Sequence, residues 1–396
     1  DKDGNERPQN YFIPALSKIF EDKDDLFGVD KKFIYQTSDV DFATWARTYA
    51  LVYNKQGYFS MMYYVMALFS DIIFKDIGGR YPMMYVYGKC GTGKGTLIAS
   101  LMRLFGVGQD QIMLGGATTV VGFMRKLGQF KNALVWLDEY KNNLAAKIIE
   151  SLKNIYDRKG YERGKKDNTF QTESTPIESA AFLSGQEMPT IEPALFTRVI
   201  LVSLTQDTFT ETQRQNMRKL EALEEKGLSG ITVGMLQHRD WFEKNFKSFF
   251  QSALRSLRTS VNNDEINERL FVSYACLIAT AELLEGLVEL PFQVPAFREI
   301  CKKNLLEQWY VLKGSDDASK FWDVVEFLFD EGKIKENQHF RLRNGNLYLR
   351  VQEIYPHYSK APSERRDPNM LDKSTLEKYL ESDSKSFIAR EKKFFG

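Results

Sequence analysis

Hydrophobic positions along the chain change their spacing from one stretch to the next. Over residues 1–78 they recur at helix spacing, most clearly at Phe42, Trp45, Ala46, Tyr49 and Val52. Between residues 83 and 204 the pattern changes to short apolar runs separated by helical stretches. These runs are Met83–Tyr87, Ala133–Leu137, Ala180–Leu183 and Val199–Leu204. Such alternation is typical of a parallel sheet covered by helices on both faces, so the sequence predicts an α/β core.

Helix spacing returns after the core, and the last eighty or so residues change pattern again. Gly314–Asp317 is predicted to be a linker, and a helix follows it. Asn344-Gly345 between strand-like runs predicts a β-hairpin. Ser374 to Glu377 forms a capping box that predicts another helix. Helix, hairpin and helix together predict a winged-helix-like module. The full scheme is an N-terminal helical domain (1–78), an α/β core (79–210), a helical domain (211–313) and the winged-helix-like module (316–396).

Composition narrows the class of protein. Hydrophobic residues make up 43% of the 396 and charged residues 27%, which is the balance of a soluble globular chain. The net charge of +1 excludes a globally basic surface, so any nucleic-acid contact must be local. The three cysteines have no zinc-site spacing and favour a reducing, cytoplasmic location. Tyr58–Phe74 is interrupted by Ser60, Ser70 and Asp71, so we expect a buried helix rather than a membrane span.

A glycine-rich loop joins the first apolar run to the helix that follows it. Glycines allow backbone N–H groups to point at phosphate oxygens, and the start of the helix adds a positive end. Lys94 is expected to reach the β- and γ-phosphates of ATP. The residues expected to contact the nucleotide are Gly88, Cys90, Gly91, Thr92, Gly93, Lys94, Gly95, Thr96 and Leu97. Such loops usually have Ser or Thr directly after the lysine, where this chain has Gly95. Thr96 is therefore the candidate ligand for Mg²⁺, with phosphate binding as its alternative role.

Two adjacent acids end the second apolar run. Asp138 and Glu139 directly follow Leu137. The carboxyl end of a strand lies beside the phosphate loop in such folds. Asp138 is therefore expected to hold Mg²⁺ through its water shell, and Glu139 is expected to polarise the water that attacks the γ-phosphate.

The order of these motifs resembles a known class of ATPase. The run Ala180–Gln186 ends in polar residues, and Arg198 follows it shortly afterwards. The order of these features along the chain resembles that of AAA+ P-loop ATPases, which have a phosphate loop, a strand ending in Asp-Glu, a strand with a polar end and then an arginine. The compact spacing resembles superfamily 3 helicases, and more closely the helicase module of phage, plasmid and mobile-element primase-helicase proteins. Residues 117–123, 183–187 and 194–198 support the resemblance, which covers roughly residues 60 to 205.

The resemblance carries expectations about function. It implies a DNA helicase driven by ATP and Mg²⁺ that forms a ring of identical subunits, a hexamer in this class. Gln186 stands where a polar side chain senses the γ-phosphate, with Ser184 as the competing candidate. Arg198 matches the arginine finger, which reaches the nucleotide of the neighbouring subunit. An upstream primase domain is also implied, and we expect the chain, which begins at Asp1, to be part of a longer protein.

A basic interval lies between the second and third apolar runs. Its cations are Arg158, Lys159, Arg163, Lys165 and Lys166, with two glycines among them. Glycines permit tight bends, so the segment Arg158–Lys166 is predicted to be a hairpin tip. The resembled helicases place a DNA-contacting hairpin in this interval, and lysines on a loop tip can follow a phosphate backbone without reading sequence. Lys159, Arg163, Lys165 and Lys166 are therefore expected to contact single-stranded or forked DNA. A solvated charged turn is the alternative interpretation.

Two other functions compete with a helicase. Gly93 to Thr96 also resembles the loop of adenylate kinase, but a small-molecule kinase leaves the Asp138-Glu139 pair and Arg198 unexplained. A non-helicase AAA+ protein, such as a loader, a packaging motor or a defence ATPase, has the same ATP site. Only the basic interval and the C-terminal module distinguish these motors from a helicase.

Overall fold

A computed structural model describes residues 35–106, 110–115, 119–164, 172–204, 210–361, 373–382 and 387–390. The chain forms two compact units. The larger unit comprises Asp1–Pro189 and Thr197–Asn304, and the smaller unit comprises Thr190–Phe196 and Leu305–Gly396.

A five-stranded parallel sheet forms the centre of the larger unit. Its strands are β1 (Met83–Gly88), β2 (Ile112–Met113), β3 (Lys131–Tyr140), β6 (Glu178–Gly185) and β7 (Val199–Leu204), in the spatial order β2-β3-β6-β1-β7. Two further strands, β4 (Tyr161–Gly164) and β5 (Thr172–Thr175), pair antiparallel as a separate ribbon. The four predicted apolar runs all lie in sheet strands, which confirms the α/β prediction. The two-residue strand β2 was too short to show a pattern.

The first helices pack on this sheet through aromatic side chains. Helix α1 (Phe42–Leu68) is kinked at Asn54, and α2 (Ser70–Asp76) follows it. The Tyr63 hydroxyl of α1 lies 3.0 Å from the Pro82 carbonyl oxygen and 2.9 Å from that of Ala181. Residues 59–68 are buried, as expected for Tyr58–Phe74. No single described helix is long and apolar enough to cross a membrane. Helices α1 and α2 meet that length and composition only together, with an 86° bend between them.

The remaining helices of the larger unit lie between and after the strands. They are α3 (Lys94–Met102), a 3-10 turn (Arg103–Phe105), α4 (Val120–Gly128), α5 (Ala146–Tyr156), α7 (Glu211–Glu225), α8 (Ser229–Leu236), α9 (Arg239–Val261) and α10 (Glu268–Leu284). Arg239 of α9 forms a two-point ion pair with Asp71 of α2, with N–O distances of 2.6 and 3.2 Å. Phe242 stacks on Phe69 with ring centroids 4.1 Å apart. Residues 211–304 therefore pack in the same unit as the sheet.

The smaller unit combines helices with a hairpin. It contains α6 (Pro193–Phe196), most of α11 (Val294–Asp330), β8 (Phe340–Arg343), β9 (Asn346–Leu349), α12 (Val351–Tyr358) and α13 (Lys373–Ser382). Its buried core is formed by Phe321, Val324, Leu328, Ile334, Ile354, Tyr358, Ala361 and Leu376. Asn344 and Gly345 both have positive φ, at 51° and 75°, which is the turn that the Asn-Gly pair predicted.

The predicted linker is wrong, because Gly314–Asp317 lies inside the continuous helix α11. A Cβ at Gly314 would come within 3.0 Å of the Tyr379 ring. Close packing explains this glycine, although glycine inside a helix costs about 1 kcal/mol relative to alanine. The bounds of the four predicted domains stay predictions.

Close packing at the carboxyl end of β6 gives a testable expectation. A Cβ at Gly185 would lie 2.6 Å from the Tyr85 hydroxyl and 2.7 Å from the Tyr140 carbonyl oxygen. Gly185→Ala should therefore destabilise the fold by about 1–3 kcal/mol, as overpacking does. Gly234 in α8 is the matched control, since no described atom beyond its chain neighbours and its own helix backbone lies within 4 Å of its Cβ position. Gly234→Ala should leave the thermal midpoint equal or higher. Equal midpoints for the two variants would contradict this packing argument.

Candidate nucleotide site

Glycine is required at three positions of the loop between β1 and α3. Gly91 and Gly93 have φ values of 82° and 84°, in the left-handed region that side chains rarely adopt. A Cβ at Gly88 would lie 2.6 Å from the Leu204 carbonyl oxygen of β7. Gly93 also precedes α3 with no side-chain cap on the helix. N–H groups at an uncapped helix start bind phosphate well, so the loop geometry fits a nucleotide.

The lysine of this loop points inward. Its Nζ donates to the carbonyl oxygens of Gly88 at 2.6 Å and Lys89 at 2.8 Å. Burial lowers the pKa of Lys94, while the Asp138 carboxylate partly opposes that shift. Asp138 therefore acts electrostatically on the Lys94 ammonium. Thr96 is exposed, and its hydroxyl donates to the Gly93 carbonyl oxygen at 2.8 Å.

A β-bulge lies at the end of β3, where Asp138 and Glu139 follow one another. The pairing of β3 with β6 shifts register between Leu137 and Tyr140. Glu139 has a φ of 60°, which is a strained conformation for a residue other than glycine. Its side chain is half exposed, and Lys141 Nζ lies 3.9 Å from its Oε2. Asp138 is less exposed and faces β6. The bulge therefore directs the adjacent carboxylates into different surroundings.

Asp138 is held by a chain of hydrogen bonds from the neighbouring strand. The Trp136 indole Nε1 donates to Ser184 Oγ at 2.7 Å, and the Ser184 hydroxyl donates to Asp138 Oδ1. Ser184 is fully buried at the end of β6. Gln186, two residues further on, is exposed. Ser184, the competitor of Gln186 in the sequence, is thus engaged with the acidic pair. The apolar run Ala133–Leu137 predicts only a core position for Trp136, although a buried indole N–H usually has a hydrogen-bond partner.

The loops after β3 and β6 are tied together. The Asn142 backbone N–H donates to Glu187 Oε2 at 2.8 Å, and the Tyr85 hydroxyl donates to the Glu187 carbonyl oxygen. The sequence assigns no role to Asn142 or Glu187, although Glu187 ends the segment 183–187 that supports the resemblance. They fix the loop that carries Gln186 beside the acidic strand end.

The residues present fit a magnesium nucleotide. Among the described residues no group of three or more His, Cys, Asp or Glu could hold a metal by itself. Mg²⁺ bound together with ATP needs fewer protein ligands, since phosphates and waters supply most of its coordination. One oriented carboxylate beside the glycine loop, here Asp138 near Lys94, is consistent with that chemistry.

Arg198 lies at the opposite edge of the sheet from these groups. It immediately precedes β7, and its carbonyl oxygen accepts from the Met83 N–H at the start of β1. Its guanidinium lies 5.6 Å from the centre of the Tyr156 ring, and that of Arg269 lies 6.0 Å from it. Burial, and then the Arg269 charge, lower the pKa of Arg198. The length of β1 separates the two edges by about 17 Å.

The basic interval begins with a half-buried arginine. Arg158 donates to Ser70 Oγ at 2.6 Å, and its guanidinium lies over the rings of Phe74 and Tyr81. Arg158 therefore supports the base of the hairpin, and its expected place at the tip is wrong. Lys159 is exposed, and Arg163 lies on β4, which pairs with β5. Lys165 and Lys166 lie outside the described residues. The hairpin leads into the start of β6, on the same edge as Arg198.

Comparison with known proteins identifies the fold. No protein-family model and no curated protein sequence matches the chain. Solved structures do match, among them one described as "SCCmec type IV Cch - active helicase". The two chains are 12% identical with a TM-score of 0.53, over 88% of this chain and 68% of that one. At this identity the likeness concerns the fold alone. The chain therefore has a helicase-like α/β fold.

Proposed function

We propose that the chain is an ATP-dependent DNA helicase motor of the AAA+, superfamily 3 type. The observation that carries this proposal is the distribution of candidate residues over the two edges of one sheet. Lys94, Asp138 and Ser184 lie at the carboxyl edge, while Arg198 lies at the amino edge. A helicase-like fold supports the same conclusion.

The carboxyl edge is suited to ATP hydrolysis. The glycine loop and Lys94 bind the β- and γ-phosphates, and Asp138 holds the magnesium water shell. Mg²⁺, when bound, neutralises charge on the phosphates. Glu139 polarises the attacking water, because its half-exposed carboxylate follows Asp138 directly. Gln186 senses the γ-phosphate from the loop fastened by Glu187, and Thr96 is the candidate protein ligand of the metal.

The amino edge is suited to contact with a neighbouring subunit. Arg198 is about 17 Å from its own phosphate loop, beyond the reach of an arginine side chain. We therefore propose that Arg198 acts in trans in a ring of identical subunits, hexameric as in the resembled class. A heterologous interface of this kind pairs two different surfaces and closes into a ring.

DNA contact is proposed for the hairpin of β4 and β5. Lys159, Arg163, Lys165 and Lys166 would follow the phosphate backbone of single-stranded or forked DNA. The helix–hairpin–helix order of the smaller unit supports a winged-helix-like module as a second contact. An upstream primase domain completes the proposal.

The ATP site is tested with two substitutions. Lys94→Ala should abolish ATP binding, because it removes the cation at the phosphates. Glu139→Gln should retain binding while turnover falls at least about 100-fold, as for loss of a general base. Calorimetric binding and steady-state hydrolysis measure these effects. Lys126→Ala, an exposed lysine on α4, is the control and should behave as wild type. Unchanged turnover of Glu139→Gln with DNA present would remove Glu139 from this role.

The trans role of Arg198 is tested by mixing inactive proteins. Arg198→Ala and Glu139→Gln should each be inactive. In a random equal mixture, about a quarter of the interfaces join an intact Glu139 to an intact Arg198. The rate of hydrolysis should therefore return to about a quarter of the wild-type rate. A mixture of Glu139→Gln with Lys94→Ala is the control. Both lesions lie on the same side of the interface, so no activity should return. An inactive first mixture, with mixed oligomers seen by native mass spectrometry, would refute the trans assignment.

The hairpin is tested through the salt dependence of DNA binding. Changing Lys165 and Lys166 to Ala should weaken single-strand binding and flatten the slope of log K against log salt by about one unit for each lost contact. Unwinding should fall more than basal hydrolysis. Lys244 and Lys247, exposed on α9, are the control pair with the same loss of charge. If both pairs behave alike, the segment is a solvated turn and the smaller unit becomes the leading DNA-binding surface.

A further inference from the structure

The position directly after the loop lysine carries no hydroxyl group in this chain. Gly95 follows Lys94 where Ser or Thr is usual. A Cβ at Gly95 would lie 3.6 Å from Cη2 of Trp136, which is ordinary van der Waals contact. The indole of β3 therefore stands beside the position where the usual hydroxyl-bearing side chain begins.

The same indole orients a hydroxyl from another strand. Trp136 Nε1 is a donor only, so its 2.7 Å bond occupies an acceptor site of Ser184 Oγ. The single hydroxyl proton of Ser184 is then directed to Asp138 Oδ1. These three residues, Trp136, Ser184 and Asp138, form what we call the relay.

Burial makes the relay strong and rigid. Ser184 is fully buried, and Trp136 is only 8% exposed. Hydrogen bonds strengthen in such surroundings, and one that ends on a carboxylate is among the stronger kinds. The three residues also lie on paired strands, since Trp136 is in register with Phe182 and Leu137 with Leu183. The relay therefore fixes the rotation of the Asp138 carboxylate.

We propose that Ser184 and Trp136 are positioning residues for the magnesium site, because together they hold the Asp138 carboxylate in one orientation. This inference rests on the proposed ATPase function. With Oδ1 held by Ser184, Oδ2 of Asp138 is the oxygen assigned to a magnesium-bound water. Mg²⁺ demands near-ideal octahedral geometry, so a carboxylate that rotates weakens Mg²⁺ binding more than it weakens binding of the nucleotide.

The chain offers a matched control for a merely structural effect. Ser179 lies on the same strand and is also buried, and its hydroxyl donates to the Leu127 carbonyl oxygen at 3.0 Å. Ser179→Ala therefore removes a comparable buried hydrogen bond at the other end of β6. Ser184→Ala and Trp136→Phe are the test variants, and the second keeps an aromatic ring while it removes the N–H.

The experiment measures Mg²⁺ dependence apart from stability and turnover. ATP affinity is determined by calorimetry in EDTA and across a Mg²⁺ titration, together with the thermal midpoint. For Ser184→Ala, the half-saturating Mg²⁺ concentration should rise about ten-fold, in the range seen when a group behind a metal ligand is removed. For Trp136→Phe it should rise about five-fold, as for one neutral hydrogen bond. Affinity in EDTA should stay unchanged, and Ser179→Ala should lower only the thermal midpoint.

The double variant checks that the two residues act in series. Adding Trp136→Phe to Ser184→Ala should cause little further rise in the Mg²⁺ requirement, because the relay is already broken. A wild-type requirement in Ser184→Ala, or an equal rise in Ser179→Ala, would overturn the relay while leaving the ATPase proposal intact. If Ser184→Ala does not fold, Trp136→Phe decides alone by the same criterion. A wild-type protein that binds no ATP with Mg²⁺ would overturn both proposals.

Discussion

Parallel pairing of β1, β3 and β6 is the constraint on which the candidate site depends. Parallel strands end at a common edge, so residues distant in sequence meet there without any loop to guide them. The register of the paired strands sets the relative positions of the site residues. A slip of one residue between β3 and β6 would turn Asp138 or Ser184 to the other face of the sheet. The glycine loop after β1 is held by the same ladder, because Gly88 packs against Leu204 of β7.

Buried aromatic residues with polar atoms connect this edge to the core. Tyr63 bonds to backbone carbonyl groups of two segments, Tyr85 to the Glu187 carbonyl, and Trp136 to Ser184. Each ring buries a large apolar area, and each polar atom would be costly to bury unpaired. Since every such bond joins different segments, a misplaced strand leaves several groups unsatisfied at once. The hydrogen bonds of the core therefore specify the arrangement of the site as well as stabilising it.

The two edges of the sheet divide the proposed chemistry. Tyr156, at the end of α5, lies beneath Arg198, and two residues later Arg158 anchors the base of the hairpin. On the proposed mechanism, Arg198 meets a neighbour's nucleotide and the hairpin meets DNA. Both pack against the same short segment, residues 156–158. The Tyr156 carbonyl oxygen also accepts a hydrogen bond from the Tyr81 N–H, which ties this segment to the chain just before β1. If Arg198 meets a neighbouring subunit as proposed, a short path of packed contacts connects that interface to the base of the hairpin.

The sequence by itself determined the four apolar strands, the glycine loop and the Asn344-Gly345 turn, because periodicity and turn chemistry are local properties. It misplaced Arg158 at a hairpin tip and a linker at 314–317, since charge and glycine content do not reveal what a residue packs against. Only the tertiary structure decided that Ser184 bonds to Asp138, that Trp136 orients it, and that Arg198 lies at the far edge. These facts follow from strand order and register, which arise from long-range pairing and leave no local pattern in the chain.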